Sequence, residues 1–249
     1  MLNVIRNRTH AELGAAGAEI AIGAISAAHQ EGREANVLLA AAPSQLPVLR
    51  ALIGAEIHKH PVRYFHMDEY VGLTPNAPQA FGAWLKHNYF DSLPSMNKAI
   101  FERIEAAGDP QQAAAAYAER LPENGFDLVL CGIGVNGHLA FNDPGTDLND
   151  ALSVRHIELA EASRTQQVDE GLFPKLADVP QFAITLTIPS MLKARTIICS
   201  ILGSAKAKAL KAMLELPITN ELPATALKSH DDVTVLADEE ALSDVHQDV

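Results

Sequence analysis

Short apolar runs and amphipathic stretches take turns along this chain, and their order predicts a layered α/β architecture. Residues 10–30 are mostly strong helix formers, with Thr9 as N-cap and Gly32 as the stop. A short apolar strand is expected over 36–41, followed by Ala42-Pro43-Ser44-Gln45 and then a helix over about 46–57 that buries Leu49, Leu52 and Ile53. The next strand covers 62–67 and ends at Asp68. Residues 69–79, with Gly72, Pro75 and Pro78, read as a loop, and 80–90 as a helix. An Ala-rich helix is expected over 110–119, with Pro110 in its first turn. Residues 128–131 have the length and character of a buried strand. Beyond them, 153–159 alternates like a strand and 162–170 reads as a helix. Strands over 182–188 and 195–202 are separated by a short helical piece near 189–193. A helix over 204–214 and a final strand over 232–236 complete the pattern. Apolar strands alternating with helices imply a mostly parallel sheet covered on both faces.

Composition narrows this picture. At 249 residues, nearly half of them apolar, the chain can build one large domain spanning 1–249, and no charge block, repeat or low-complexity linker divides it. The formal charge of −12 argues against nucleic acid as a partner, since that wants a basic face. It also repels anions at long range, so an anionic ligand needs locally placed donors. Cys131 and Cys199 sit in apolar runs and read as buried, reduced thiols. Residues 1–9 show no secretory pattern, and 13–28 hold Glu19 and are too short for a membrane span. A cytoplasmic protein without membrane contact is expected.

The chemistry concentrates after the 128–131 strand. Glycines at 132, 134 and 137 let the backbone take positive φ and lie close to a ligand, and Asn136, His138, Asn142 and Asp143 crowd in behind them. In an open parallel sheet, ligands bind where strands give way to loops at their carboxyl ends. Two plainer readings compete. Gly132-x-Gly134-x-x-Gly137 fits a dinucleotide fingerprint literally, but that motif needs a helix opening at its third glycine, and Asn142-Asp143-Pro144-Gly145 leaves little room for one. The other is a glycine turn with a solvated His and Asp. No Gly-x-Ser-x-Gly elbow is present, no cysteine lies in a polar setting, and no His or Cys spacing suggests zinc; neither metal nor cofactor is expected.

Three blocks carry a resemblance. The stretch Gly132-Ile-Gly-Val-Asn-Gly-His-Leu-Ala-Phe-Asn-Asp-Pro-Gly145 resembles the active-site loop of the glucosamine-6-phosphate deaminase (isomerase) family. Phe65-His-Met-Asp-Glu-Tyr-Val-Gly-Leu73 is similar to that family's second signature, and Leu202-Gly-Ser-Ala-Lys-Ala-Lys-Ala-Leu210 to a third. The resemblance implies a Rossmann-like fold of the sugar-phosphate isomerase type. It also implies an activity, conversion of an amino-sugar phosphate to a ketose phosphate and ammonia. Asp68 matches the family's proton-shuttling carboxylate and His138 its ring-opening histidine. Asp143 stands where the family usually has glutamate, and Asn136 where aspartate is frequent. Lys206 matches a phosphate-contacting lysine at a helix start, where free N–H groups favour an anion.

Ser44 and Gln45 stand near a Thr-Gly-Gly-Thr-Pro run of typical members and are candidate donors to the phosphate, with Gly137 and Arg164. A second arginine usual downstream has no match near Asp169, and Glu69 reads as a solvated strand end. The rivals are a galactosamine-6-phosphate deaminase, a 6-phosphogluconolactonase, and a non-catalytic sugar-phosphate sensor, although no basic DNA-binding extension is visible. Monomer and homo-oligomer both fit the resemblance.

Overall fold

The computed structural model describes residues 2–94 and 98–245. Its strands are β1 (Asn3–Asn7), β2 (Ala35–Leu39), β3 (Val62–His66), β4 (Asp68–Tyr70), β5 (Ala99–Glu102), β6 (Leu128–Cys131), β7 (Val154–Glu158), β8 (Phe182–Leu186), β9 (Thr196–Ile201) and β10 (Val233–Asp238). The α-helices are α1 (His10–Gln30), α2 (Leu46–Ile53), α3 (Phe81–Asn88), α4 (Pro110–Ala118), α5 (Glu161–Asp169), α6 (Ile188–Met191) and α7 (Ala207–Glu215).

Seven strands form one parallel sheet in the order β1-β10-β9-β6-β2-β3-β5. Side chains alternate between its faces, and both faces are apolar. Leu38, Phe65, Val129, Ile197 and Val235 enter one core, while Val37, Leu39, Tyr64, Leu128, Ile198 and Leu236 enter the other. That continuity explains why these strands read as unbroken apolar runs. Each fully buried Leu, Ile or Phe contributes roughly 1.5–3 kcal/mol. Cys131 and Cys199 lie side by side in register on β6 and β9, both free and buried.

Three further strands, β4-β8-β7, form a small antiparallel sheet. Met67 joins the two sheets: its N–H donates to Leu39 O in the large one, and its own carbonyl accepts from Leu186 N in the small one. Asp68 follows at once, paired across β4 and β8 with Thr185.

Several expectations need correction. Residues 69–79 are not all loop, because β4 takes the first two of them; Glu69, expected as a solvated strand end, is buried with Asp68. Polar β1 pairs on one side only, with β10, and its half-exposed pattern hid it. The helix expected to 57 stops at Ile53, and a 3-10 turn, Glu56–Lys59, follows Gly54. At 21 residues α1 is long and apolar enough to cross a membrane by length and composition, so the judgement that 13–28 is too short does not hold. Here α1 packs into the core through Leu13, Ala21, Ile25 and Ala28. Gly14 and Gly17 bring α2 close, since a Cβ at either would lie 2.5 Å from Pro47 O or Val48 Cγ2. Thr9 caps α1 as expected, accepting from Glu12 N.

Candidate active site

The chain crosses from β2 to β3 and β5 on one side of the sheet, then returns to β6 on the other side of β2 before adding β9 and β10. The crevice between β2 and β6 is therefore the point where strand order reverses, the usual place for a ligand in such sheets. A cavity of about 600 Å³ opens there. Carboxyl ends of five parallel strands supply its wall: Ser44 beyond β2, Asp68 beyond β3, Gly132 and His138 beyond β6, Lys206 beyond β9, and Asp238 ending β10. Gln166, Gln167 and Glu170 add a side from α5 and its end, and His10 enters from the start of α1. Met67, Phe81, Ile133 and Phe141 make the remainder apolar.

Asp68 is 7 % exposed. Burial, and then the neighbouring Glu69 carboxylate, push its carboxyl well above the usual carboxylate range. His66 offers no counter-charge, because burial and then Arg103 drop its pKa to about 3. Its Nε2 accepts from Ile104 N–H at 2.8 Å. Glu69 is not the solvated strand end expected: it is buried and accepts from the backbone N–H groups of Tyr70, Phe81 and Gly82 at 2.9–3.0 Å. Two of those donors open α3, so Glu69 caps that helix from a distance in sequence.

His138 is held from behind. Ser163 Oγ donates to Asp143 Oδ1 at 2.5 Å and lies 3.1 Å from His138 Nδ1, while Asp143 Oδ1 is 3.5 Å from the same nitrogen. Asn136 Nδ2 donates to Asp143 at 3.0 Å, and Asn136 Oδ1 accepts from His138 N–H at 3.2 Å. Burial pushes Asp143 upward, but the contacts with His138, Ser163 and Asn136 outweigh it and hold the carboxyl below its ordinary value. An ionised carboxylate only accepts, so the Ser163 hydroxyl proton points to Asp143 and its lone pair faces the ring. Nδ1 is then the protonated nitrogen, and Nε2 is left for a ligand. Gly134 makes room for that ring, as a Cβ there would lie 2.2 Å from His138 Cε1.

The two walls share a brace. Phe141 N–H donates to Thr185 Oγ1, and Asn142 Nδ2 to Leu139 O and Leu186 O. Thus β8 ties down the His138 loop and pairs with Asp68 as well. Within that loop Ala140 is held at φ 50°, the left-handed region, a local strain common near functional sites.

Lys206 ends the 3-10 turn Ser204–Lys206 that leads into α7. Burial lowers its pKa against the opposing pull of Glu170, whose Oε1 lies 3.6 Å away. The N–H of Gly203 is already taken by the Asp238 carboxylate at 3.0 Å, so it is not a free donor to an anion.

Among the residues singled out in sequence, Asp68, His138, Ser44 and Lys206 meet at one cavity. Asn136 and Asp143 stand behind His138. Gln45 is fully buried, donating to Cys131 O at 2.9 Å and Ser44 Oγ at 3.0 Å, which fixes the Ser44 turn against the end of β6. Gly137 serves the backbone: it sits at φ 79°, and a Cβ there would meet Leu222 at 2.4 Å. Arg164 does not reach the cavity; its guanidinium donates to the carbonyls of Leu176 (2.8 Å) and Val179 (3.1 Å) and ties down the segment after α5. Sequence reasoning missed Ser163, Glu170, Asp238 and His10. Asp238 could have been found by extending the last strand two residues, which brings it to the same carboxyl edge.

The chain matches the family model described as glucosamine-6-phosphate isomerases/6-phosphogluconolactonase over residues 8–236. It belongs to that family. A glucosamine-6-phosphate deaminase of Streptococcus sanguinis is 40 % identical over 178 residues, covering 72 % of this chain and 73 % of the relative. One from Exiguobacterium sibiricum is 35 % identical over 215 residues, covering 86 % and 82 %. Among solved structures, a monomeric glucosamine-6-phosphate deaminase superposes with TM-score 0.88 at 27 % identity, covering 98 % of this chain and 100 % of the other. A 6-phosphogluconolactonase from Shewanella baltica, at 17 % identity and TM-score 0.79 over 96 % and 98 %, shares the fold. The chain is accordingly an enzyme of the glucosamine-6-phosphate isomerase/6-phosphogluconolactonase family.

Proposed function

We propose that this enzyme converts glucosamine 6-phosphate and water to fructose 6-phosphate and ammonia. The observation that carries the reading is the convergence of Asp68, His138 and Lys206 on one cavity at the switch point of the sheet. Relatives named glucosamine-6-phosphate deaminase support the same reaction.

The cavity chemistry suits the steps in order. Lys206 and Ser44 hold the phosphate. The free Nε2 of His138 passes a proton between the ring oxygen and the anomeric hydroxyl, which opens the pyranose to the aldehyde. Asp68 then takes the proton from C2 as O1 is protonated, leaving a C1=C2 enolamine. It returns that proton to C1, and the nitrogen lone pair forms a C2=N iminium. Water adds at C2 and ammonia leaves, giving the ketose. One carboxylate above one face of the opened sugar serves both carbon transfers. Its raised pKa makes Asp68 a stronger base than an exposed aspartate, at the cost of being protonated, and idle, until a higher pH.

The test is direct. Purified enzyme is incubated with glucosamine 6-phosphate, its galacto epimer and 6-phosphogluconolactone, and ammonia release is measured beside lactone hydrolysis. Ammonia from an amino sugar is expected. Lactone hydrolysis outpacing it, or sugar-phosphate binding without turnover, would replace this reading.

A further inference from the structure

We propose that Glu170 is an internal competitor for Lys206: its carboxylate holds the ammonium until the phosphate of the substrate displaces it, which makes Glu170 a specificity-determining residue for that dianionic group. This rests on the reading of Lys206 as the phosphate contact.

Glu170 Oε1 lies 3.6 Å from Lys206 Nζ, and both side chains line the main cavity. The lysine side chain is 16 % exposed, so solvent alone satisfies its charge poorly, and the fixed anion nearby favours the ammonium form against that burial. Glu170 is aimed there by a second contact. Gln166 Nε2 donates to Glu170 Oε1 at 2.7 Å, and Gln166 Oε1 accepts from Val135 N–H at 3.1 Å in the His138 loop. The carboxylate is therefore positioned by the same loop that carries the imidazole.

The consequence follows from charge. A neutral sugar cannot displace a carboxylate from an ammonium, and a monoanion exchanges one such contact for another. A phosphate dianion brings twice the charge, which wins the lysine and repels the carboxylate left beside it. Glu170 also has somewhere to go. At 31 % side-chain exposure it already touches water. A second cavity of about 570 Å³ shares Gln166, Glu170 and Lys206 with the first, so the ion pair partitions the two. Glu161 and Asp169 line that second space, so it offers the released carboxylate water rather than a new cation.

The experiment compares wild type, Glu170→Gln and Lys206→Ala, with inorganic phosphate titrated by calorimetry at low salt and with glucosamine 6-phosphate turnover. Glutamine keeps the size of the side chain and an acceptor for Gln166, and removes only the charge. In Glu170→Gln, the dissociation constant for phosphate and the KM are expected to fall about three- to tenfold while kcat stays within about twofold. The difference from wild type should shrink as potassium chloride is added, because screening weakens the competing pair; a purely structural glutamate would show no such dependence. Unchanged or weaker phosphate binding in Glu170→Gln, with Lys206→Ala abolishing it, would overturn the competitor while sparing the phosphate reading. Phosphate binding undiminished in Lys206→Ala would overturn both.

Discussion

Asp68 and Asp143 are the same side chain in opposite circumstances, on either wall of one site. Asp143 is surrounded by partners: Ser163, Asn136 and the His138 ring contact it, and together they hold it ionised against its burial. Asp68 is buried beside another acid, and its carboxyl is pushed up. The difference supports the two roles proposed for them. A carboxylate fixed as an anion orients an imidazole; one that accepts a proton readily can carry it between carbons. Folding favours the first and opposes the second.

The sharpest way to break the contrast is Asp68→Asn. Turnover is expected to fall by about 10² to 10⁴. Stability should move the other way. Because the folded pKa of Asp68 lies above its unfolded value, the folded state loses stability as pH rises from the ordinary carboxylate range through that higher pKa. The amide removes that penalty, so at neutral pH the variant should melt higher, by about 2–4 °C for each kcal/mol relieved. Calorimetric scans at acid and neutral pH would check this, with the gain confined to the neutral scan. The same shift predicts an acid limb of kcat/KM above the ordinary aspartate range, absent from the variant.

Gly134→Ala tests the other wall by displacing the ring. A Cβ at 134 would overlap His138, and such misplacement typically costs about 10² in rate. The added methyl should destabilise by about 1–3 kcal/mol as overpacking, measurable by denaturant titration.

Much of this site was legible in the chain because its parts are local. The glycines at 132, 134 and 137, then His138 and Asp143, lie within one loop, and an apolar strand announces where that loop begins. Lys206 was legible for the same reason, standing where a strand turns into a helix. What the sequence hid is non-local. Ser163 is 25 residues from His138, on a polar helix where one serine looks like any other. The cap that Glu69 provides to α3 spans more than ten residues, so an acid beside Asp68 passed for a solvated one. Arg164 shows the reverse error: an arginine close in sequence to the anion site looked like a ligand contact, yet its Nη2 is directed to the carbonyls of Leu176 and Val179 and it does not line the cavity. In the fold, β1 and β4 were missed because edge pairing and burial of charged residues are decided by partners far along the chain.

Asp143→Asn inverts the first experiment. Its folded pKa lies below the unfolded one, so the stability it contributes is present above the ordinary carboxylate range and is lost as pH falls through the lower value. The amide should therefore destabilise at neutral pH, by about 1–3 kcal/mol, and converge with wild type in acid. Turnover should fall about tenfold, since the ring loses the carboxylate that anchors it. A gain in stability at neutral pH would erase the distinction drawn between the two aspartates.

The smallest effect expected is that of Ser163→Ala, and it separates two accounts of how Asp143 reaches His138. The direct approach, 3.5 Å, is long for a hydrogen bond, whereas the path through the hydroxyl has steps of 2.5 and 3.1 Å. If the hydroxyl is the working link, alanine frees the ring, and kcat should fall about three- to tenfold with little change in KM. The double variant Ser163→Ala/Asp143→Asn should then be no slower than Asp143→Asn alone, because both changes cut one chain. If the losses multiply instead, the carboxylate acts on the imidazole across the longer gap and Ser163 contributes separately. Asp143 would in that case stay the orienting anion, but the shorter side chain would be reaching the ring unaided.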